Sequence, residues 1–150
     1  MVALSVHAFG VRSVEGEAMK IRVDKKDVVF SKLIRLRARF NCEKCHRYFP
    51  FGHGLQCAHV FGRRHQSTRF DPDNAIALCY SDHQYFGENP TIFTAWVKKH
   101  LGDVRYEALQ LRHMLIVKRT KADSEAMYQH IKEQFAILQD DPSHMVVGYD

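Results

Sequence analysis

Nowhere does the 150-residue chain contain an uninterrupted apolar run of the roughly 18 residues that a membrane-spanning helix needs. Its start shows no charged stretch leading into a long apolar segment, which argues against a secretory signal. No internal repeat and no low-complexity segment breaks the sequence, so a solenoid, an array and a disordered linker are all excluded as its organising principle. Cysteine is sparse: the chain has 4. In a secreted chain they could pair as two disulfides, but without a secretion signal a reducing cytosol is the expected setting, where paired cysteines more often hold metal. Residues 1–24 show no sustained hydrophobic period. They are expected to form a strand or an irregular arm whose role is unreadable.

What is present suffices for one domain, with 45% hydrophobic residues available to build a core. Lys and Arg number 22 against 17 Asp and Glu, giving a net charge of +5 and a pI near 9.1. That balance suits a polyanionic partner, though it does not single one out.

The stretch from Leu55 to Tyr85 carries most of the chemistry-bearing residues. Leu55 to Val60 reads as a short strand, Arg63 to Asn74 as a polar loop, Ala75 to Cys79 as a second strand, and Ser81 onward as a helix. One histidine, His59, thus lies on the first strand, and another, His83, opens the helix. Upstream, Lys25 to Phe40 has Val29, Phe30, Leu33, Ile34 and Leu36 near helical spacing. Lys32, Arg35, Arg37 and Arg39 project mostly elsewhere, which describes an amphipathic helix with a basic outer side. Asp27 either caps this helix or sits in its first turn, where the exposed N–H groups favour an anion.

Cys42-Glu-Lys-Cys45 follows, a spacing at which two thiolates can point at one ion. Cys79 lies beyond the expected hairpin and Asp82 three residues later. Three sulfurs and one oxygen would close a tetrahedral zinc site, because zinc accepts carboxylate as well as thiolate. Cys57 and His46 are rivals of Asp82 for the fourth position. Cys57 shares a strand face with His59, and a free thiol there is also an ordinary small buried hydrophobe.

Taken in order, Cys42-Glu-Lys-Cys45, His59, Asn74 and His83 resemble the HNH nuclease family, whose ββα-metal unit joins a strand histidine, a loop asparagine and a helix histidine. The fuller string of His59, Arg63, His65, Thr68-Arg69-Phe70-Asp71 and Asn74, with Phe30-Ser31 and Ile34-Arg35 upstream, is similar to the phage-type HNH proteins that include the Rap/NinG recombination endonucleases. The likeness covers roughly Asp27 to His100.

The resemblance implies an α+β fold: a small, treble-clef-like ββα-metal unit with a zinc knuckle, flanked by an N-terminal basic helix and C-terminal helices. It implies a single nuclease domain over 1–150, with an arm at 1–24, the basic helix, knuckle and ββα-metal unit at 25–90, and a helical extension at 91–140. It further implies an endonuclease that hydrolyses phosphodiester bonds in DNA, in phage recombination or branched-DNA processing, in the cytoplasm of a bacterial or phage-infected cell. Membrane association is not expected, and the oligomeric state is left open, as is an RNA substrate.

The catalytic residues carried over are His59 as general base, Asn74 as the residue that fixes its strand, and His83 as ligand to a divalent cation (Mg²⁺, Mn²⁺, Zn²⁺ or Ni²⁺). Cys42, Cys45, Cys79 and Asp82 would hold structural zinc. Arg63, Arg64, His65, Arg69 and Arg35 are candidates for backbone contacts with nucleic acid, the arginines through planar forks that match paired phosphate oxygens.

Two departures from the family pattern bear on function. Asp82 stands where the family usually has cysteine, and Ala58 precedes His59 where a ligating side chain is common. With Ala58 unable to ligate, the cation's second ligand is His59 itself or one of His65, Asp71, Asp73 and Asp82. These departures keep open a different class of protein, a non-catalytic zinc-knuckle DNA-binding module of HNH fold.

Beyond this region, Asn89 and Pro90 read as the start of a helix over Thr91 to His100, with Ile92, Phe93, Trp96 and Val97 inward and Gly102 as a stop. Asp103 to Val117 and Asp123 to Leu138 read as packing helices, through Tyr106, Leu109, Leu111 and Leu115 and through Met127, Ile131, Phe135 and Leu138. Lys118 to Lys121 reads as a basic linker and Asp141-Pro142 as the start of a tail.

Overall fold

The structure is a computed structural model that describes residues 23–149; the N-terminal arm expected over 1–24 falls almost wholly outside them. Five helices and a two-stranded antiparallel sheet make it α+β. Helix α1 (Lys25–Arg37) starts at Asp24, whose carboxylate accepts from Lys26 N at 2.9 Å. Asp24 is therefore the cap, and Asp27 sits in the first turn, the second of the two places expected for it. Arg39 and Phe40 follow with φ of 50° and 58°, which ends the helix three residues before the expected Phe40. Phe30, Leu33 and Ile34 bury its inner face, as the periodicity requires.

Strands β1 (Leu55–His59) and β2 (Ala75–Cys79) pair from Leu55 opposite Cys79 to His59 opposite Ala75. Every residue of β2 is buried, which matches its uninterrupted apolar run. Helix α2 (Tyr80–Glu88) leaves β2 without a break, and α3 (Pro90–Leu101) follows at Pro90. Asn89 occupies the capping position, but its side chain donates back to Tyr85 O and caps nothing. Gly102, at φ 80°, turns the chain directly into α4 (Asp103–His113). Helix α5 (Lys121–Asp140) opens with a reciprocal box between Thr120 and Asp123 and lies along α1. The residues read as a basic linker thus include this helix's cap.

One buried cluster runs through all of these elements, from Phe30 on α1 and Ile76 and Leu78 on β2 to Phe86, Val97, Tyr106, Met127 and Ile131 on the helices. Trp96 is half-buried and packs on Phe86 and His100. Some inward expectations fail: Ile92 on α3 and Leu111 on α4 face outward, and Leu115 is exposed because α4 stops at His113 and the chain beyond it is not helical. No helix of the described residues is long and apolar enough to cross a membrane.

Candidate functional site

The turn between α1 and β1 is folded by its own backbone: Cys42 N donates to Arg47 O, His46 N donates to Cys42 O, and His46 takes a φ of 59°. This brings Cys42 and Cys45 onto one side, facing Cys79 at the end of β2 and Asp82 in the first turn of α2. The four ligand atoms all lie within 4.8 Å of one another. Asp82 Oδ2 is 3.2 Å from Cys42 Sγ and 3.3 Å from Cys79 Sγ, and Cys45 Sγ is 3.9 Å from Cys79 Sγ. That spacing is far longer than a disulfide bond of about 2.05 Å, and all four cysteines are free. The group could hold a metal ion, and Asp82 is its fourth member. Cys57, paired with Ala77 inside the hairpin, and the exposed His46 stand outside it.

Electrostatics act on the group in both directions. Burial pushes the Cys42 thiol up to about 12, against backbone N–H groups of Cys45, Cys79 and Lys44 that favour its thiolate. Burial also acts against the Cys79 thiolate, but the Ser81 hydroxyl and the Asp82 N–H outweigh it and hold this thiol below its ordinary value. For the Asp82 carboxyl, the cost of burial is overcome by the Lys44 ammonium and the three thiols, which keep it well below the usual carboxylate range. Cys79 and Asp82 also stand at the head of α2, where the helix dipole favours anions. Lys44 Nζ sits 2.7 Å from Asp82 Oδ1, so one carboxylate oxygen is engaged by the ammonium and the other faces the thiols.

Along β1, His59 and Gln56 line an open cleft of about 290 Å³ together with Asp27, Ser31, Leu55, Cys57 and Arg63. His59 Nε2 is 3.0 Å from the carbonyl of Arg69. A carbonyl only accepts, so Nε2 carries the proton and Nδ1 keeps its lone pair. Burial, with Phe30 packed at a centroid distance of 6.2 Å, pushes the His59 pKa down, and the Arg69 carbonyl only partly opposes this. Burial likewise raises the Cys57 thiol to about 12, which marks it as an unreactive wall residue.

The loop that supplies the Arg69 carbonyl is held by Asn74. Fully buried, Asn74 accepts from Phe61 N at 2.7 Å and donates to Phe61 O and Thr68 O at 2.9 and 2.8 Å. His83 is half-buried on α2, and its Nδ1 meets Gln56 Oε1.

The other candidates divide. Arg63 and Arg64 make no ion pair among the described residues, whereas Arg69 binds Asp27, with Asp24 at 3.9 Å. Arg35 is half-buried and donates to Ser31 O and Leu55 O. His65 packs edge-on against His113 at 4.2 Å. Asp71 is taken by Arg112, and Asp73 by Arg105 and Arg112. A cavity of about 460 Å³ lies beside those acid–arginine pairs and away from His59. Among the described residues, none of His65, Asp71 and Asp73 joins His59 or His83 in a group of three or more possible ligands, and Asp82 belongs to the thiol cluster.

Three residues at the site escaped the sequence reading. Glu43 accepts from Ala77 N and pairs with Arg37, which also donates to Pro72 O and Ala75 O and so ties knuckle, hairpin and α1 together. Burial alone would raise the Glu43 carboxyl, but His100 and Arg37 hold it below its ordinary value. Lys44 and Gln56 are the other two. The charge pair inside Cys-Glu-Lys-Cys was the one available signal for Glu43 and Lys44. Comparison with family models, curated proteins and solved structures finds no match for this chain.

Proposed function

We propose that this chain is a metal-dependent endonuclease of the HNH type that hydrolyses phosphodiester bonds in DNA, with zinc in the thiol and carboxylate group. The observation that carries the reading is His59. Its Nε2–H is pinned to a backbone carbonyl, its Nδ1 keeps a lone pair, and it lines a cleft beside an arginine without a carboxylate partner.

The zinc assignment rests on donor chemistry and spacing. Tetrahedral zinc with bonds of about 2.3 Å to sulfur places its sulfurs about 3.8 Å apart, close to the 3.9 Å between Cys45 and Cys79. Thiolate donors select soft metals over magnesium or calcium. Lys44 offsets part of the negative charge left when three thiolates and a carboxylate surround a divalent ion.

In the reaction, His59 Nδ1 takes the proton from the attacking water, a task for which a neutral imidazole is suited. Asn74 transfers no proton; it fixes the loop whose Arg69 carbonyl orients His59. Arg63 and Arg64 hold the phosphate through charged hydrogen bonds. His83 would contribute an imidazole nitrogen to the catalytic cation, with substrate phosphate oxygens and water supplying the rest of its shell. Such a cation supplies charge relief at the phosphate and at the leaving oxygen. Phage recombination or branched-DNA processing comes from the family resemblance alone.

One observation favours a second reading, the non-catalytic DNA-binding module: among the described residues no carboxylate is grouped with His83, and Asp71, Asp73 and Asp82 are all engaged elsewhere. Incubation of the purified protein with supercoiled, linear and branched DNA across Mg²⁺, Mn²⁺, Zn²⁺ and Ni²⁺ separates the two. The nuclease reading expects cleavage that falls by a factor of roughly a hundred to ten thousand in His59→Ala. Added metal should not rescue His59→Ala and should partly rescue His83→Ala. DNA binding without cleavage under every cation would establish the module instead.

A further inference from the structure

Arg35, expected to touch nucleic acid, does not line the His59 cleft. It lines a second groove, an open one of about 330 Å³ formed by α1, α5 and the turn before β1, together with Lys32, Phe40, Phe51, His53 and Phe135. Phe51 is 81% exposed, and its φ of 55° is one that a bulky side chain rarely adopts. Gly52 follows at φ 75°, where a Cβ would meet the Phe40 ring at 3.1 Å. The turn thus closes tightly on Phe40 and leaves the Phe51 ring outside. Charge at the groove is of one sign. On α1, Lys25, Lys26 and Arg37 are paired with Glu125, Asp24 and Glu43. Among the described residues Lys32 and Arg35 have no carboxylate partner, and no acidic side chain lines the groove. Arg35 donates to the carbonyls of Ser31 and Leu55, which both line the His59 cleft, so groove and cleft are neighbours across this one side chain.

We propose that this groove binds an unpaired base of single-stranded DNA, stacked on Phe51, with the flanking phosphates on Lys32 and Arg35. The proposal rests on the reading of DNA as the partner and uses none of the cleavage chemistry. A ligand that suits such a groove needs a flat apolar face and a negative charge beside it, and a nucleotide joins the two in one unit. Every base has a π-face, so the contact tolerates any sequence. A base inside a duplex is already stacked on both faces, so only an unpaired one can offer its face to Phe51. The volume lies at the lower end of the range for small-ligand sites, about 300–1,000 Å³, which suits a single base. The two cations would meet phosphate oxygens through charged hydrogen bonds.

Fluorescence anisotropy of the full-length protein with a labelled oligothymidylate, without added divalent cation, reads the site. Phe51→Ala is expected to weaken binding by about 5- to 150-fold, the span of base–aromatic stacking, and Phe51→Trp to restore it. An oligomer of abasic sites, with the same phosphates and no bases, should bind the parent and Phe51→Ala alike. Lys32→Ala should reduce the fall of log K with log salt by about 0.7 on the oligothymidylate. Duplex affinity should be the same in Phe51→Ala as in the parent, and so should the denaturant midpoint, because the ring is exposed. Oligothymidylate bound equally by the parent and Phe51→Ala overturns the proposal, and continued duplex binding then leaves DNA as the partner. A parent that binds neither single strand nor duplex overturns both readings. A parent dimer in light scattering that Phe51→Ala disperses gives the groove to a second copy of the chain and overturns the proposal as well.

Discussion

At the scale of single residues, burial decides the behaviour of His59. A lowered pKa keeps the imidazole neutral, and so able to accept a proton, at pH values where an exposed histidine is already charged. The acid limb of kcat/KM for DNA cleavage is therefore expected below the ordinary 6.5, and the NMR titration of His59 should track it. Stability follows the same direction. The folded state binds fewer protons than the unfolded one, so this contribution declines as pH falls through the unfolded value and levels off below the folded one.

Asn74 makes a different kind of demand, because all its hydrogen bonds are internal. Asn74→Ala should lower stability by roughly 1–3 kcal/mol for each buried group it leaves unpaired, measured by denaturant unfolding, and should also slow cleavage through the loop that orients His59. The grouping of Cys42, Cys45, Cys79 and Asp82 was legible in sequence, from their spacing along the chain. Gln56, Lys44 and Glu43 were not, because their partners are fixed only when β1 pairs with β2 and the knuckle closes on α2.

Elements show the same division. The hairpin and α2 were readable because β2 is an unbroken apolar run and Asp-Pro-Asp-Asn turns the chain into it. The reach of α4 was not, since Leu111, Leu115 and Ile116 continue an apolar pattern that the structure leaves exposed. The possible metal group joins three parts of the fold: its four donors come from the α1–β1 turn, the end of β2 and the start of α2, and the zinc proposed there would tie them together. Cys42→Ser should therefore give a poorly folded chain rather than a stable inactive one, because binding energy at a structural zinc site is also folding energy. Metal analysis of folded, freshly purified protein should find zinc bound, and a chelator should abolish the cooperative unfolding transition. Arg69 belongs to this scale as well. Its guanidinium clamps the loop to Asp27 at the start of α1, so Arg69→Ala is expected to cost about 1.5–3 kcal/mol, the range for hydrogen bonds to charged groups.

Over the whole molecule, most of the basic side chains near the site are already spoken for. Arg37 is paired with Glu43, Lys44 with Asp82, Arg69 with Asp27, and Arg105 and Arg112 with Asp71 and Asp73. The net charge of +5 therefore says little about where a polyanion would settle. The unpaired arginines beside His59 say more. Arg63 lines the cleft itself, and Arg64 is its neighbour in the exposed part of the loop. Each phosphate neutralised on duplex DNA releases condensed counterions, which makes log K fall with log salt by about 0.9 per contact. Arg63→Ala and Arg64→Ala should each reduce that slope by roughly this amount and weaken binding alike on unrelated sequences, since phosphate contacts carry no base information. Arg69→Ala, provided it remains folded at the assay temperature, should leave the slope unchanged, because its charge is directed at Asp27. Binding isotherms on two unrelated duplexes across a salt series, for the parent and the three variants, give all the slopes needed. A slope insensitive to Arg63 and Arg64 would move the DNA path away from the His59 cleft, and with it the scissile phosphate.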